Sequence, residues 1–186
     1  SAKKTLPISH ITVPTTCGTG SEATPFATLW DKNLKEKYSF QTNYSTPKLI
    51  IHCPSCILKC PKKILIQSSL DTLSHTLECM WNKKFSNSFL IPIVDSLKST
   101  FKFLNAIAVG TDLKPHINSM QQASTLAGCL INQTKTASAH SISYPFTTYF
   151  GIPHGIACSF TLPEILRLNM SHSNSVFYNK IAKEVG

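Results

Sequence analysis

Residues 70–78 have the sequence LDTLSHTLE and lie within a stretch whose apolar side chains recur at helical spacing. The recurring positions follow Pro61 and are Leu65, Leu70, Leu73, Leu77 and Met80. The same spacing predicts further helical stretches at residues 91–110, 117–130, 138–147, 154–162 and 163–169. Pro145 should end or kink the stretch that contains it, because proline lacks a backbone N–H and crowds the preceding turn.

The chain before these helices has a different pattern. Three short runs, at residues 9–16, 25–30 and 48–51, are rich in β-branched or aromatic residues, which is typical of strands. The predicted strands come first and the helices after them, without alternation. This order favours an α/β remnant, the last strands of an α/β domain, at residues 1–60, followed by an all-α domain at residues 61–186.

The composition is that of a globular protein. Of the 186 residues, 42% are hydrophobic and 15% are charged. No apolar run approaches the roughly 18–20 residues that cross a bilayer, and residues 1–7 lack the apolar core of a signal peptide. The net charge of +9 comes from scattered lysines without interleaved aromatic residues, so we expect no nucleic-acid partner. We predict a cytoplasmic protein without a membrane partner, whose positive charge can help to steer an anionic substrate.

The seven cysteines have two interpretations. Cys53, Cys56 and Cys60 are spaced closely enough to suggest a zinc knuckle. A structural zinc site usually needs a second pair at matching spacing, and none follows. We therefore favour free thiols in a reducing compartment and interpret this spacing as a coincidence.

Four side chains form a candidate metal site. Asp71 and His75 are four residues apart in the predicted helix, so they project from one face about one turn apart. His140 and His154 add two more imidazoles. One carboxylate and three imidazoles form a mixed oxygen and nitrogen set, without sulfur, that suits Fe(II) or Zn(II). An aspartate and a histidine four residues apart also occur as solvated neighbours on a helix. The four residues therefore indicate a metal site only in combination with the motifs around them.

Three motifs together resemble the iron-containing (group III) alcohol dehydrogenase family. They are PTTCGTGSE at residues 14–22, LDTLSHTLE at residues 70–78, and His140 followed fourteen residues later by His154 within PHG. The similarity extends over nearly the whole chain. It implies that residues 1–60 end a Rossmann-like nucleotide-binding domain and that residues 61–186 form an incomplete helical metal-binding domain.

The resemblance also implies roles for single residues. Asp71, His75, His140 and His154 become the metal ligands, and the full set of three histidines favours iron over zinc. Thr15, Thr16, Gly20, Ser21 and Lys37 are implied to lie beside bound NAD(H) or NADP(H). The implied reaction is hydride transfer between this cofactor and a carbonyl polarised by the metal, and a homodimer is a further expectation.

One departure from the family pattern concerns the proton route. Tyr144 stands four residues after His140, where many members of the family have a second histidine that relays a proton. A tyrosine hydroxyl can take this role. Packing alone is the alternative role for Tyr144.

The substrate is a further prediction. Residues 73–78 together with 81–83, residues 141–145 and residues 150–155 resemble the branch of the family that reduces phosphonoacetaldehyde to 2-hydroxyethylphosphonate. A phosphonate needs cationic or amide partners, and the candidates are Asn82, Lys83, Lys84 and Lys135. An ordinary short-chain aldehyde or alcohol is the alternative substrate. A truncated chain that binds metal without turnover is the alternative function, because the family's glycine-rich pyrophosphate loop is not among these residues.

Overall fold

The structure is a computed structural model that describes residues 9–31, 33–42, 44–172 and 175–186. Four short strands come first: β1 (Ile11–Thr12), β2 (Phe26–Asp31), β3 (Glu36–Gln41) and β4 (Leu49–Ile50). The helices that follow are α1 (Pro54–Leu58), α2 (Lys62–Met80), α3 (Leu90–Val109), α4 (Lys114–Thr134), α5 (Ser138–Phe150), α6 (His154–Ser159), α7 (Leu162–His172) and α8 (Ser175–Val185). This order confirms the predicted fold class, and the domain boundary near residue 60 stays a prediction.

The strands form two separate pairs. β1 and β4 are parallel and shorter than the predicted runs, with Ile11 opposite Leu49. The long connection between them contains an antiparallel hairpin of β2 and β3. The Asp31 carboxylate accepts hydrogen bonds from backbone N–H groups at the hairpin turn. The sequence patterns did not predict β3, because EKYSFQ is largely polar and most of its side chains are exposed.

The three long helices, α2, α3 and α4, confirm the helices that the spacing of apolar residues predicted there. α3 ends at Gly110, whose positive φ of 81° is a conformation that glycine adopts without strain. α5 is longer than predicted, because it continues through Pro145 to Phe150. Of the two expected effects of Pro145, an end of the helix is therefore wrong, and a kink stays a prediction. The last turn of α5 is closed by backbone N–H groups of Gly151 and Ile152, which donate to the carbonyls of Thr147 and Phe146.

α2 is the central helix of the all-α part. It packs against α3, α4, α5 and α6. One apolar cluster on it joins the N-terminal loop to α3 and α4 and includes Cys17, Leu65, Phe103, Ile117 and Met120. A second cluster joins the end of α2 to α3, α4 and α8 and includes Cys79, Ile93, Leu97, Leu130 and Tyr178. These apolar contacts involve other faces of α2. The face that carries Asp71 and His75 is therefore available to pack against α5 and α6.

The helices that the structure describes do not have the character of membrane spans. None of those in the described residues combines the length and the apolar character needed to cross a bilayer. The expectation about a signal peptide concerned residues 1–7, which lie outside the described residues.

Candidate metal centre

The four predicted ligands come together at one point. Asp71 Oδ1 lies 3.6 Å from His75 Nε2, 3.4 Å from His140 Nε2 and 3.9 Å from His154 Nε2. The His75 and His140 rings are stacked, with centroids 4.7 Å apart. Three elements supply the donors, because α2 carries the first pair while α5 and α6 each add one histidine near their first turns.

A glycine contact brings α6 to this point. A Cβ built on Gly155 would lie 1.8 Å from the backbone oxygen of Gln67 on α2. Only a residue without a side chain allows the two helices to approach this closely. Because His154 directly precedes Gly155, the close approach also determines where the fourth imidazole stands.

The buried charges of the site influence one another. Burial alone would raise the pKa of Asp71, but the adjacent imidazoles of His75, His140 and His154 outweigh it and bring that pKa to about 2. Burial lowers the pKa of His75 to about 4. For His140, burial acts in the same direction, but contacts with Asp71, Cys158 and Glu78 raise its pKa well above the usual value. The Asp71 carboxylate therefore stays ionised and accepts a cation readily.

Two donor atoms of the cluster have no hydrogen-bond partner among the described residues. They are Asp71 Oδ1 and His140 Nε2, and both are buried. Leaving a buried polar atom unpaired costs roughly 1–3 kcal/mol. A metal ion bound between these atoms would satisfy both, so the chemistry and placement of the donors fit a divalent cation.

Glu78 supports the site from the protein side. Its carboxylate is 2.6 Å from His140 Nδ1 and accepts hydrogen bonds from the backbone N–H groups of Ala137 and His140. An acceptor at Nδ1 leaves Nε2 of His140 as the nitrogen available to a metal. The sequence interpretation gave Glu78 no role, although it follows Asp71 by two helical turns on the same face of α2.

A cysteine also lies at the site. The donor atoms of Asp71, His140, His154 and Cys158 all lie within 4.8 Å of one another, and in the described part of the chain this is the group close enough to hold one ion. Cys53, Cys56 and Cys60 form no such group there, although Cys53 Sγ and Cys56 Sγ are 3.4 Å apart. The predicted absence of sulfur from the site is therefore not what the structure shows.

A cavity of about 570 Å³ opens beside the cluster. Asp71, His75, His140 and His154 all contribute to its wall, and His154 has a side-chain exposure of 36%. The predicted residues Ser21, Lys37, Tyr144 and Lys135 line it as well. Lys37 Nζ lies 3.5 Å from the centre of the Tyr144 ring, and Lys135 Nζ donates a hydrogen bond to Gln41 Oε1 over 2.9 Å. Lys83 and Lys84 are exposed and do not line this cavity.

The remaining predicted cofactor residues lie in the loop next to this cavity. Thr15 and Thr16 line a second cavity of about 400 Å³, which shares Thr19 and Ser21 with the first. Gly20 lines neither cavity, because a Cβ on it would point into α4, 2.5 Å from the Cα of Gly128. A Cβ on Gly18 would likewise meet Ser68 on α2, at 2.4 Å from its Cβ. These two glycines therefore let the loop rest on the helices, and the position of Gly20 beside a cofactor stays a prediction.

The family of this chain follows from its similarity to known proteins. The model described as iron-containing alcohol dehydrogenase matches residues 1–54. The model described as the Fe-containing alcohol dehydrogenase family, C-terminal, matches residues 65–186. The fold and the cluster define a helical metal-binding part that follows strands of an α/β domain. The chain belongs to the iron-containing alcohol dehydrogenase family, as the sequence motifs predicted.

Individual relatives agree with this assignment. The chain is 31% identical to a phosphonoacetaldehyde reductase of Streptomyces viridochromogenes over 86% of its own length and 40% of the relative's. It is 29% identical to a 1-propanol dehydrogenase of Salmonella typhimurium over 95% of its own length and 48% of the relative's. A structure of sulfoacetaldehyde reductase from Bifidobacterium kashiwanohense in complex with NAD+ superposes with a TM-score of 0.87 at 31% identity, covering 96% of this chain and 47% of that one. The chain thus spans about half the length of the relatives it matches.

Proposed function

We propose that the protein is a metal-dependent, NAD(P)-linked alcohol dehydrogenase that reduces a small aldehyde. The observation that carries the proposal is the convergence of Asp71, His75, His140 and His154 in the wall of an open cavity. The names of the relatives support it, since they are dehydrogenases and reductases of small alcohols and aldehydes. The sulfoacetaldehyde reductase structure, which contains NAD+, supports the cofactor.

The four side chains would hold one Fe(II), with Zn(II) as the alternative. Their oxygen and nitrogen donors suit either ion. When bound, such an ion supplies Lewis-acid polarisation of the aldehyde carbonyl. The protein's own contribution is to keep Asp71 ionised, to orient His140 through Glu78, and to expose His154 toward the cavity.

The cofactor residues of the proposal are Thr15, Thr16, Gly20, Ser21 and Lys37. Ser21 and Lys37 lie in the wall of the cavity that also holds the metal ligands, and Ser21 connects it to the second cavity around Thr15 and Thr16. These residues would hold a dinucleotide that lies along both cavities. Gly20 would act through the position of this loop. Tyr144 is the proposed proton donor, since it lines the same cavity. A cytoplasmic location and a homodimer remain predictions.

The proposed substrate carries an anionic group in addition to its aldehyde. Two relatives are named for such substrates, phosphonoacetaldehyde and sulfoacetaldehyde. Lys37 and Lys135 place two ammonium groups in the wall of the cavity that holds the metal ligands. A charged hydrogen bond to such an anion contributes about 1.5–3 kcal/mol. Phosphonoacetaldehyde, with a role in phosphonate biosynthesis, is the specific candidate, and an ordinary short-chain aldehyde, as for the 1-propanol dehydrogenase, is the competing one.

Metal analysis tests the site directly. The purified protein, reconstituted anaerobically with Fe(II) or with Zn(II), should bind close to one equivalent per chain. His140→Ala should lose this metal, while His116→Ala on α4, outside the cluster, should retain it. Stoichiometric metal in the His140→Ala variant would contradict the ligand assignment.

A second measurement separates the reductase from a protein that only binds metal. The chain spans about half the length of its relatives, so these 186 residues can hold the metal site without supporting turnover. NADH and NADPH are titrated into the metal-loaded protein, and reduction of phosphonoacetaldehyde and propanal is then measured. Turnover with either aldehyde supports the proposal. Metal binding without cofactor binding or turnover would favour the alternative that this chain retains the metal site alone.

A further inference from the structure

Cys158 occupies a place that none of the predicted ligands fills. It lies one helical turn after His154 on α6 and is fully buried. Its Sγ is 3.6 Å from both ring nitrogens of His154 and within 4.8 Å of the donor atoms of Asp71 and His140. The position is therefore part of the metal cluster in space, although the residue does not belong to the predicted ligand set.

We propose that Cys158 donates its sulfur to the metal, as a further ligand beside Asp71, His75, His140 and His154. This inference rests on the metal site of the proposed function and changes its chemistry. On binding, the thiol releases its proton to solvent and forms a metal–sulfur bond. His75, whose Nε2 is 3.6 Å from Asp71 Oδ1, keeps its place among the ligands.

Three of the donor–donor distances are close to those of ligands that share one ion. With metal–nitrogen bonds of about 2.0–2.1 Å and metal–sulfur bonds of about 2.3 Å, two donors at the tetrahedral angle lie about 3.5 Å apart. The observed separations are 3.4 Å and 3.9 Å from Asp71 Oδ1 to the Nε2 atoms of His140 and His154, and 3.6 Å from Cys158 Sγ to His154 Nε2. The remaining donor atoms of this group lie within 4.8 Å of one another.

The surroundings of the thiol point in the same direction. The Asp71 Oδ1 and His140 Nε2 atoms beside it are buried and have no hydrogen-bond partner in the described ranges of the chain, which fits donors that face a shared ion.

A sulfur donor changes which ion the site prefers. Thiolates are soft ligands and favour Zn(II) over Fe(II), whereas a carboxylate with three imidazoles accommodates both. The protein should therefore bind Zn(II) more tightly than a site with oxygen and nitrogen donors alone would. Replacing Cys158 should reduce this preference.

Cobalt(II) is the probe for the experiment, because a thiolate bound to Co(II) gives a charge-transfer absorption band that nitrogen and oxygen ligands do not give. The protein loaded with one equivalent of Co(II) should show this band. Cys158→Ser and Cys158→Ala should both lose it and should bind Zn(II) about tenfold more weakly, a loss at the lower end of that expected for changes around a metal site. Far-ultraviolet circular dichroism checks that both variants are folded.

Two controls locate the sulfur. Cys129→Ser, at an exposed position, and the combined replacement of Cys53, Cys56 and Cys60 by serine should both retain the band. A band that persists without Cys158, or that disappears with the three cysteines, would overturn the proposal. One equivalent of Co(II) bound without any band, and lost in His140→Ala, would overturn the role of Cys158 while leaving the metal site of the proposed function intact.

Discussion

At the scale of single residues, Glu78 shows how a buried carboxylate can determine the orientation of a proposed metal ligand. It is fully buried, and it contacts His140 through the ring Nδ1 as well as through the backbone N–H. Contacts with His140 lower the pKa of Glu78 even though burial opposes this. The ionised carboxylate therefore holds both the ring and the start of α5 in place.

Replacing this carboxylate should weaken metal binding. We expect Glu78→Gln to lower Zn(II) affinity by about 10–100-fold, as changes in outer-shell partners of metal ligands commonly do. The amide keeps the size of the side chain but has only one acceptor oxygen for three donors. Competition with a chromogenic chelator measures the affinity, and Glu164→Gln, at an exposed position, is the matched control. Unchanged affinity in folded Glu78→Gln protein would contradict this role.

Lys135 is the residue that we expect to recognise the anionic group of the substrate. It has a positive φ of 70° at the end of α4, and its ammonium group lies 3.9 Å from the Phe26 ring centre in the cavity wall. We expect Lys135→Met to lower kcat/KM for phosphonoacetaldehyde by about tenfold, through loss of one charged contact, and to change kcat/KM for propanal little. Lys83→Met, outside the cavity, should affect neither. An equal loss for both aldehydes would contradict recognition of the anionic group.

At the scale of elements, the geometry of the metal site depends on how closely α6 approaches α2. Gly155 allows this approach because it has no side chain toward the Gln67 carbonyl. The two residues belong to different helices and are far apart in the chain. The position of His154 is thus a consequence of helix packing rather than of its own local sequence.

A methyl group at this contact should disturb stability and metal binding together. We expect Gly155→Ala to reduce the free energy of unfolding by about 3 kcal/mol, because backbone on both sides limits relaxation. Metal affinity should fall as well, since His154 moves with α6. Gly110→Ala is the control. Because the φ of Gly110 is 81°, this substitution should reduce the free energy of unfolding by about 1 kcal/mol, but nothing lies within 4 Å of the added methyl. Denaturant unfolding and chelator competition measure both effects, and a loss of stability with normal metal affinity would contradict the coupling.

At the scale of the whole molecule, the strand pair β1 and β4 is incompletely covered. Ile11 is 60% exposed and Leu49 is 52% exposed, although parallel strands usually have both faces buried. Exposed apolar patches of this kind promote association. In the relatives, which are about twice as long, further chain is available to cover such a surface.

This exposure predicts self-association of the 186-residue chain. Ile11→Lys combined with Leu49→Lys should shift sedimentation toward the monomer at equal concentration. Ile91→Lys, at a 75% exposed position near the start of α3, should leave the distribution unchanged. The same distribution for all three proteins would show that the strand pair is not the associating surface.

Much of the fold could be predicted from the sequence, because the signals for it are local. The spacing of Leu65, Leu70, Leu73 and Leu77 indicated α2, since burial of one helical face repeats every three to four residues. The same rule placed Asp71 and His75 on one side of that helix. β3 and α8 were missed, because β3 is mostly polar and exposed and because short amphipathic segments carry weak signals.

The candidate site likewise has some features that are visible along the chain and others that only the tertiary structure shows. The sequence motifs by themselves determined the family and the four candidate ligands, because the types and order of these residues are visible along the chain. Only the tertiary structure showed that Glu78 holds His140, that Cys158 joins the cluster, and that Gly18 and Gly20 pack on helices instead of facing a cavity. Each of these contacts joins residues from different elements. Their distance in space depends on how the helices pack, and spacing along the chain carries no information about it.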